Sequence, residues 1–415
     1  MTLSCFDLGE RLLSVEEAQA ALGELTPAPL GTETLDLAVA LDRVLAERVS
    51  SPIDVPQNTN SAMDGIAVAW TGSETLRLVG EVLAGSRFAG TLEAGEAVTI
   101  TTGAPLPRGA DSVIMREQLD IDAATARVRV REPDTVRRGQ NVRQAGEDIA
   151  RGSLAVAAGT RLRPQHLGFL ASLGRARVTV HRRPRVALFS TGDEVTAPGA
   201  TLPDAGIFDA NRFSLRGLIE RLGGEVVDLG ILADDCRAIH DALEAAVRDA
   251  DMVITSGGVS VGQADWVKMA LQRLGRLGFW RIAMRPGRPL AFGVLGPREV
   301  PFFGLPGNPV SAMVTFLQFV QPLLRRLQGE TAWRARRLVA VADEPLSSRA
   351  GRVDFHRGIY TGGPDGRLSV TTTGPQGSGM LSSMLAANCL IEIDAARDHV
   401  AAGDTVTIQP FGELT

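Results

Sequence analysis

The sequence predicts a multidomain α/β protein built around a doubly wound α/β domain. First, residues 183–328 alternate strand-like and helix-like segments, which is typical of a mostly parallel sheet covered by helices. Second, short β-rich runs occupy residues 51–142 and 335–411 on either side of this segment. Third, a length of 415 residues corresponds to about three domains at roughly 150 residues each.

Composition argues against several classes of protein. Hydrophobic residues make up 44% and charged residues 22%, which is ordinary for globular domains and unlike disordered, collagenous or coiled-coil chains. A net charge of −5 without any Lys/Arg block argues against a nucleic-acid partner. No apolar run reaches about 18 residues, so we expect no membrane span, and Met1–Arg11 lacks the apolar stretch of a secretory signal. Only three cysteines are present, so we expect no disulfide framework and a reducing, cytoplasmic location.

The N-terminal region predicts helices. Ser14 offers an N-cap, acidic residues follow in the first turn, and apolar residues then recur at helical spacing. We expect a second helix at Leu37–Val49, and a helical pattern returns at Leu162–Leu173. We therefore assign residues 1–50 and 143–182 to an N-terminal helical and linker domain.

Residues 51–142 predict a β-rich domain inserted into this helical domain. Proline and glycine punctuate short β-rich runs such as Leu76–Val82 and Ala97–Thr101. Residues Arg127–Arg131 alternate polar and apolar side chains, which indicates a half-buried strand.

The α/β domain and the C-terminal domain follow in order. In the α/β domain we expect strands at Arg185–Phe189, Glu225–Leu232, Asp251–Thr255, Phe279–Ala283, Leu290–Val294 and Pro301–Leu305, and helices at Phe208–Leu222, Cys236–Ala250 and Val310–Leu327. Residues 329–415 form a C-terminal β domain, a small barrel or sandwich, with strands at Arg337–Val341, Asp354–Tyr360, Leu368–Thr372 and Asn388–Ile393.

Three loops that follow predicted strands are candidate binding loops, because open α/β sheets bind ligands at the carboxyl ends of their strands. Ser190–Glu194 carries two adjacent carboxylates that can hold a hard cation, although a tight turn with solvated acids has the same pattern. Thr255–Asp265 contains three glycines and three hydroxyl side chains, and its N–H groups suit an anion. This segment matches neither a Walker A loop nor GxGxxG, so a flexible connection is the alternative.

The third loop and two neighbouring motifs allow both structural and functional readings. In Leu305–Ser311, Asn308 suits an N-cap and Pro309 the first helical position, and capping alone explains both. The turn Arg285–Pro289 places two cations where they could clamp an oxyanion, or they could simply be solvated. One residue of the pair Asp234–Asp235 is expected to cap a helix, which leaves the other for metal binding.

The ordered set of motifs resembles the molybdopterin molybdenumtransferases, the MoeA and gephyrin E-domain family. The resemblance covers nearly the whole chain, and each motif is weak by itself. The motifs are Asn60–Gly65, Thr102–Pro105, Arg143–Asp148, Ser190–Glu194, Thr255–Asp265, Pro286–Gly287, Leu305–Pro309, Asp354–Gly358 and Gln376–Ser378.

The resemblance implies a fold, a reaction and partners. It implies an N-terminal helical domain, an inserted β domain, a molybdopterin-binding α/β domain and a C-terminal β barrel, in an elongated homodimer. The active cleft would lie between the α/β domain of one subunit and the N-terminal region of the other. The reaction would insert molybdate into adenylylated molybdopterin and release AMP with Mg²⁺ present. Molybdopterin adenylyltransferase and downstream cofactor-maturation proteins would be further partners.

The resemblance also implies roles for individual residues, which alone would pass as turn, capping or surface residues. The catalytic set would be Asp64, Thr102, Asp148, Glu194 and Asp265. The metal would be held by Glu194, Asp234 or Asp235, and Asp265. Substrate would be bound by Ser256, Gly257, Gly258, Ser260, Arg285, Arg288, Pro306, Pro309, Arg357 and Ser378.

This chain departs from the family pattern at a few positions, and other functions stay open. Arg285 and Arg288 stand where lysine is common, and an arginine fork differs from a compact ammonium. Gln263 replaces a residue that is often acidic. An adenylyltransferase would be the α/β domain alone, and a CinA-like nucleotide hydrolase should lack the N-terminal motifs and the last domain. A non-catalytic carrier or scaffold would not need the carboxylate set, so we favour the enzyme.

Overall fold

The computed structural model describes residues 12–24, 28–233, 235–257 and 266–412. These residues form two compact units, each with its own hydrophobic core. The smaller unit contains residues 35–41 and 47–178. The larger unit contains the described parts of 1–34, 42–46 and 179–415.

The smaller unit is built on a six-stranded sheet. In spatial order its strands are Ser112–Met115, Gly65–Val68, Glu96–Ile100, Thr75–Val82, Arg127–Val130 and Leu119–Asp122. Val128 and Val130 are buried between exposed arginines, so the alternation predicted for this strand is confirmed. Helix Pro164–Ser172 and the paired short strands Val49–Ser50 with Leu154–Val156 and Asn60–Ser61 with Val142–Arg143 complete the unit.

The prediction of a helix at Leu37–Val49 is wrong. Only Leu37–Val39 forms a single 3₁₀ turn, and Asp42 has a φ of 61°, which a helix does not accommodate. The backbone here bonds to a distant strand instead of to its own preceding turn. The N–H of Ala46 donates to the Thr179 carbonyl at 3.0 Å, and the N–H of His181 donates to the Val44 carbonyl at 2.9 Å.

The larger unit contains a seven-stranded sheet. Its strands in chain order are β1 (Leu12–Leu13), β2 (Arg185–Thr191), β3 (Glu225–Leu232), β4 (Met252–Ser256), β5 (Gly275–Ile282), β6 (Pro289–Leu295) and β7 (Val300–Leu305). The spatial order is β1-β5-β6-β7-β4-β2-β3, with β6 antiparallel to both neighbours and the other pairs parallel. The mostly parallel sheet of the predicted fold class is therefore present.

Helices pack against this sheet. They are α1 (Val15–Glu24), α2 (Asn211–Arg221), α3 (Cys236–Asp249), α4 (Trp266–Leu274), α5 (Pro309–Thr315) and α6 (Gln321–Leu327). A π-helical turn at Phe316–Val320 joins α5 to α6, so the predicted helix Val310–Leu327 is one element with an internal irregularity. Helix α2 begins three residues later than predicted, because Ile207–Phe208 form a short strand with Val195–Thr196. Among the described residues, none of the helices combines the length and apolar character that a membrane span requires.

The C-terminal domain is a closed five-stranded barrel. Strand Val353–Gly362 pairs with both Leu368–Thr372 and Cys389–Ile393, and Leu338–Ala342 and Thr405–Pro410 complete the ring. Of the two predicted arrangements, barrel and sandwich, the barrel is correct. The remaining elements are short: helix Ser382–Ala386 and strands Thr32–Asp36, Arg177–His181, Met284–Arg285, Leu346–Ser347 and His399–Val400.

Candidate active site

The three loops predicted to bind ligand follow three adjacent, parallel strands. In the sheet register, Ser190 at the end of β2 lies beside Ser256 at the end of β4. Ser256 in turn lies beside Leu305 at the end of β7. The loops that begin at these residues therefore leave the sheet at one edge, where open α/β sheets bind their ligands.

A short segment that sequence reasoning missed connects all three strand ends. Ser190 Oγ donates to the Asp209 carboxylate at 3.1 Å. Asn211 Nδ2 donates to Ser256 Oγ at 2.7 Å and to the Gly307 carbonyl at 2.6 Å. Asp209–Arg212 lies at the start of the helix predicted at Phe208–Leu222, and its polar residues resemble an ordinary helix start.

Ion pairs neutralise the charged residues of the segment Asp209–Arg212 and hold it in place. Buried Asp209 accepts from the backbone N–H of Arg212 at 3.1 Å and from its Nε at 2.8 Å. Arg212 Nη1 also donates to Asp228 at 2.6 Å. Burial by itself would lower the pKa of Arg212, but the bonds to both aspartates outweigh it and raise that pKa. The start of α2 is thus held by a charged network beneath the strand ends.

Close backbone approach explains the glycine that follows β4. Gly257 has a φ of 86°, and a Cβ there would lie 2.9 Å from the Thr191 carbonyl oxygen. Its N–H donates to the Leu305 carbonyl at 3.2 Å. A side chain at this position would force the ends of the strands apart, so glycine is required where the candidate binding loop begins.

The carboxylates predicted to hold a metal differ in their exposure and in their hydrogen bonds. Glu194 is exposed, and its carboxylate folds over Gly192, where a Cβ would lie 2.7 Å from Glu194 Oε2. Asp235 Oδ1 accepts from the N–H of Ala238 at 2.8 Å and caps α3, so Asp235 is the capping member of its pair. The predicted site residues Asp234, Gly258, Ser260 and Asp265 lie outside the described residues.

A second group of metal-ligating side chains lies on the surface of α3. Ligand atoms of His240, Asp241 and Glu244 lie within 4.8 Å of one another. Two arginines on the same helix are already close, Arg237 at 4.0 Å from Asp241 and Arg248 at 3.9 Å from Glu244. These cations would compete with a metal ion, and the group is not one that the sequence singled out.

The Arg285–Pro289 turn presents two unneutralised cations. Arg285 and Arg288 are exposed, and neither is paired with a carboxylate in the described part of the chain. Met284–Arg285 pairs in parallel with the start of the barrel strand Val353–Gly362, which fixes the turn against the barrel. Gly287 has a φ of 100° and lies over Thr315, since a Cβ there would be 2.4 Å from Thr315 Oγ1.

Arg357 is buried. Without the family resemblance, the sequence would have placed it at the surface. Only 1% of the residue is exposed, and within the described residues it meets no carboxylate. Its Nε donates to Ser383 Oγ at 3.0 Å and its Nη2 to the Gly377 carbonyl at 3.1 Å. Burial, and then the charge of Arg285, lower the pKa of Arg357 to about 10. The guanidinium therefore stays charged at neutral pH, close to a second cation.

The start of α5 touches the loop that carries Ser378. Pro309 occupies the first helical position as predicted, and Asn308 stands at the N-cap. The Asn308 side chain makes no capping bond; its Nδ2 donates to Ser378 Oγ at 3.1 Å, and the Val310 N–H donates to the Ser378 carbonyl at 3.1 Å. The structure thus brings together Ser378 and the loop that contains Pro306 and Pro309.

In the smaller unit, two predicted catalytic residues are in direct contact. The N–H and the hydroxyl of Thr102 donate to Asp64 Oδ1 at 2.6 Å and 2.7 Å. The backbone bond first, and then the hydroxyl bond, lower the pKa of Asp64. Asp148 is exposed in the same unit, and its backbone N–H donates to the Val55 carbonyl at 2.9 Å.

Comparison with known proteins identifies the family. Family models match residues 13–174 as the MoeA N-terminal region (domain I and II), 187–326 as a probable molybdopterin binding domain and 339–411 as the MoeA C-terminal region (domain IV). A molybdopterin molybdenumtransferase from Haemophilus influenzae is 43% identical over 409 residues, covering 97% of this chain and 100% of the relative. The chain belongs to the molybdopterin molybdenumtransferase family.

Other members of the family agree over the same length. Molybdopterin molybdenumtransferase 1 of Mycobacterium tuberculosis is 32% identical over 422 residues, covering 95% of this chain and 98% of the relative. A molybdopterin biosynthesis MoeA protein from Pyrococcus horikoshii superposes with a TM-score of 0.82 at 30% identity, covering 96% of this chain and 100% of that one. The predicted family and fold class are confirmed, and the chain is a transferase of molybdenum cofactor biosynthesis. The roles of individual residues stay predictions.

Proposed function

We propose that this transferase inserts molybdate into adenylylated molybdopterin and releases AMP, with Mg²⁺ as its metal cofactor. The observation that carries the proposal is a group of three arginines, Arg285, Arg288 and Arg357, that meet no carboxylate among the described residues. Cations that meet no described carboxylate and lie beside a ligand-binding sheet edge suit a reaction whose substrates are both anionic.

The arginine group is the proposed molybdate site. Arg285 and Arg288 are exposed, so their side chains can contact a small oxyanion. Arg357 is held by hydrogen bonds to Ser383 and Gly377 and contributes a buried positive charge. Ser378, whose hydroxyl contacts Asn308, offers a further polar group at this end of the site. An arginine fork binds two oxygens of an oxyanion at once, so arginine can replace lysine here without loss of charge.

The strand-end loops are the proposed molybdopterin site. Ser256 and Gly257 begin the loop after β4, and Gly258 and Ser260 continue it in the sequence. Pro306 and Pro309 shape the loop after β7. Backbone N–H groups at a glycine-rich strand end bind phosphate oxygens without needing a cationic side chain.

We assign the proposed metal to carboxylates on the loop after β2 and at the start of α3, because hard divalent cations prefer oxygen ligands. Glu194 is exposed on the loop after β2, and its carboxylate makes no hydrogen bond to another described side chain. Asp235 uses Oδ1 for capping, which leaves Oδ2 for a metal. Mg²⁺ bound there, with Asp234 and Asp265, would neutralise charge on the phosphoanhydride that is cleaved. In the smaller unit, Asp64, whose pKa is lowered by its bonds to Thr102, and Asp148 are the proposed catalytic carboxylates.

We also propose a homodimer. Four large apolar side chains between residues 202 and 213 are exposed: Leu202, Ile207, Phe208 and Phe213, at 42%, 55%, 46% and 54%. Apolar residues grouped in this way commonly mark a protein interface. An Ile207→Asp variant should shift the sedimentation coefficient from dimer to monomer, and an unchanged dimer would move the interface elsewhere. Molybdopterin adenylyltransferase and downstream maturation proteins would be transient partners, in the cytoplasm.

The deciding experiment follows AMP. Purified protein is mixed with adenylylated molybdopterin and Mg²⁺, with and without molybdate, and AMP is measured by chromatography. We expect release that depends on molybdate and is lost on adding EDTA. Binding of the nucleotide without AMP release would contradict the proposal and favour a carrier.

A matched pair of variants tests the metal ligands. Glu194→Gln keeps the size of the side chain and removes its charge, so we expect AMP release to fall by about 100-fold or more, as expected when stabilisation of developing charge is lost. Glu47→Gln makes the same change at an exposed acid outside the proposed sites and should leave the rate within about twofold, because surface charges interact weakly. Equal effects of the two substitutions would remove Glu194 from the metal site.

A further inference from the structure

Asn211 connects the two strand ends at which molybdopterin is proposed to bind. It is the first residue of α2 and is half-buried. Its side-chain amide reaches Ser256 Oγ at the end of β4 and the Gly307 carbonyl after β7, at 2.7 Å and 2.6 Å. None of the sequence motifs that point to the reaction includes this residue.

The orientation of the Asn211 amide follows from its partners. A carbonyl oxygen can only accept a hydrogen bond, so the amide nitrogen and not the amide oxygen must face Gly307. The second hydrogen of the same nitrogen is taken by Ser256 Oγ. Both donors of the side chain are therefore committed to the two loops, and an aspartate could make neither bond as a donor.

The backbone around Asn211 is held in place by the contacts of the neighbouring residues. Partly buried Arg212 forms an ion pair with buried Asp209 at 2.8 Å, and Asp209 also accepts from Ser190 at the end of β2. Asn211 therefore links this segment to Ser256 at the end of β4 and to Gly307 after β7. Hydrogen bonds of this length from a fixed donor hold their acceptors to within a few tenths of an ångström.

We propose that Asn211 is a positioning residue for the molybdopterin substrate, which sets the separation between Ser256 at the end of β4 and Gly307 after β7. The inference rests on the proposed function, because it takes these loops as the molybdopterin site. Neither of these bonds of Asn211 is to an arginine of the proposed molybdate site, and those arginines belong to the Arg285–Pro289 turn and to the barrel. The role therefore predicts separable effects on the two substrates.

The test is Asn211→Asp, which keeps the shape of the side chain and places an anionic oxygen against the Gly307 carbonyl. We expect the KM for adenylylated molybdopterin to rise by about 10- to 100-fold, because misplacement of binding groups by an ångström costs about this much. The molybdate concentration that gives half-maximal rate should change less than this KM, because neither bond of Asn211 is to an arginine of the molybdate site.

Asn388→Asp is the matched control. Asn388 Nδ2 donates to the Tyr360 carbonyl at 2.9 Å, so the substitution creates the same clash of oxygens in the barrel. We expect it to lower the melting temperature and leave both substrate constants of the folded enzyme unchanged. A folded Asn211→Asp enzyme with an unchanged molybdopterin KM, or an equal rise in Asn388→Asp, would overturn the proposal.

Direct binding separates this inference from the proposed reaction. The Kd of adenylylated molybdopterin is measured by titration for the wild type and for Asn211→Asp, without molybdate. A weaker Kd in the variant supports the positioning role even if the wild type releases no AMP. Equal Kd values combined with normal AMP release would refute the role of Asn211 and leave the proposed reaction intact.

Discussion

The turn that carries Arg285 and Arg288 depends on a glycine, and Gly287→Ala tests that dependence. The φ of Gly287 is 100°, a conformation that disfavours side chains. A Cβ at this position would lie 2.4 Å from Thr315 Oγ1 and 3.4 Å from Met284 Cε. The first distance is too short for any contact between a carbon and an oxygen, so either the turn or the helix that carries Thr315 must move.

The expected cost has two parts. The backbone conformation contributes about 1–2 kcal/mol for a residue with a side chain. Inserting a methyl group into a filled site contributes about 1–3 kcal/mol more. We therefore expect Gly287→Ala to lower the free energy of unfolding by about 2–5 kcal/mol in total.

Gly366→Ala is the control for the backbone part. Gly366 has a φ of 79°, and a Cβ there would meet nothing within 4 Å. This variant should lose only about 1–2 kcal/mol, measured like the first by denaturant titration and calorimetry. Gly287→Ala should in addition raise the molybdate concentration that gives half-maximal rate, because the arginines move with the turn. Gly366→Ala should leave that concentration unchanged.

A second substitution tests whether Thr315 causes the steric contribution to the destabilisation of Gly287→Ala. Adding Thr315→Ala to Gly287→Ala removes the atom in the way and should recover about 1–2 kcal/mol as a coupling energy. Thr315→Val replaces the hydroxyl with a methyl group of similar size and should recover nothing. If Gly287→Ala is as stable as Gly366→Ala to within about 0.5 kcal/mol, or if Thr315→Ala fails to rescue it, the steric argument is refuted.

Three further predictions concern other parts of the molecule. Thr102→Val removes a hydrogen bond that lowers the pKa of Asp64, so that pKa should rise and the acid limb of the pH–rate profile should shift to higher pH; an unmoved limb would separate Asp64 from catalysis. Asp251→Asn leaves two half-exposed arginines without their buried carboxylate and should cost about 2–4 kcal/mol by denaturant titration, and a cost below about 1 kcal/mol would contradict this. Burial raises the pKa of Cys389 to about 12, so iodoacetamide at pH 8 should label half-buried Cys236 first and reach Cys389 only on unfolding, as read by mass spectrometry.

Several signals confined to a few neighbouring residues were reliable in the sequence, although the Asn308 side chain makes no capping bond. The alternation that predicted a half-buried strand at Arg127–Arg131 is confirmed, as are Pro309 at the start of its helix and the expectation that one aspartate of the pair Asp234–Asp235 caps α3. Each of these depends on local geometry: the two-residue repeat of a strand, the fixed φ of proline, and a side chain that reaches its own helix.

Predictions that involve distant partners were incomplete. Leu37–Val49 has apolar residues suited to a helix, but its backbone bonds to Thr179 and His181, more than 130 residues away in the chain. The strands of the last domain did not distinguish a barrel from a sandwich, because closure depends on which strand pairs with Val353–Gly362. Neither partner can be found from periodicity alone.

The sequence by itself indicated the family, the strands and helices around the seven-stranded sheet, and the residue types available for chemistry. Only the tertiary structure decided how those residues are used. It buried Arg357 where no described carboxylate meets it, and it placed Asn211 between Ser256 and Gly307, which are 45 and 96 residues away in the chain. Such roles arise because burial and hydrogen bonding depend on which segments meet in space, and the chain order does not record this.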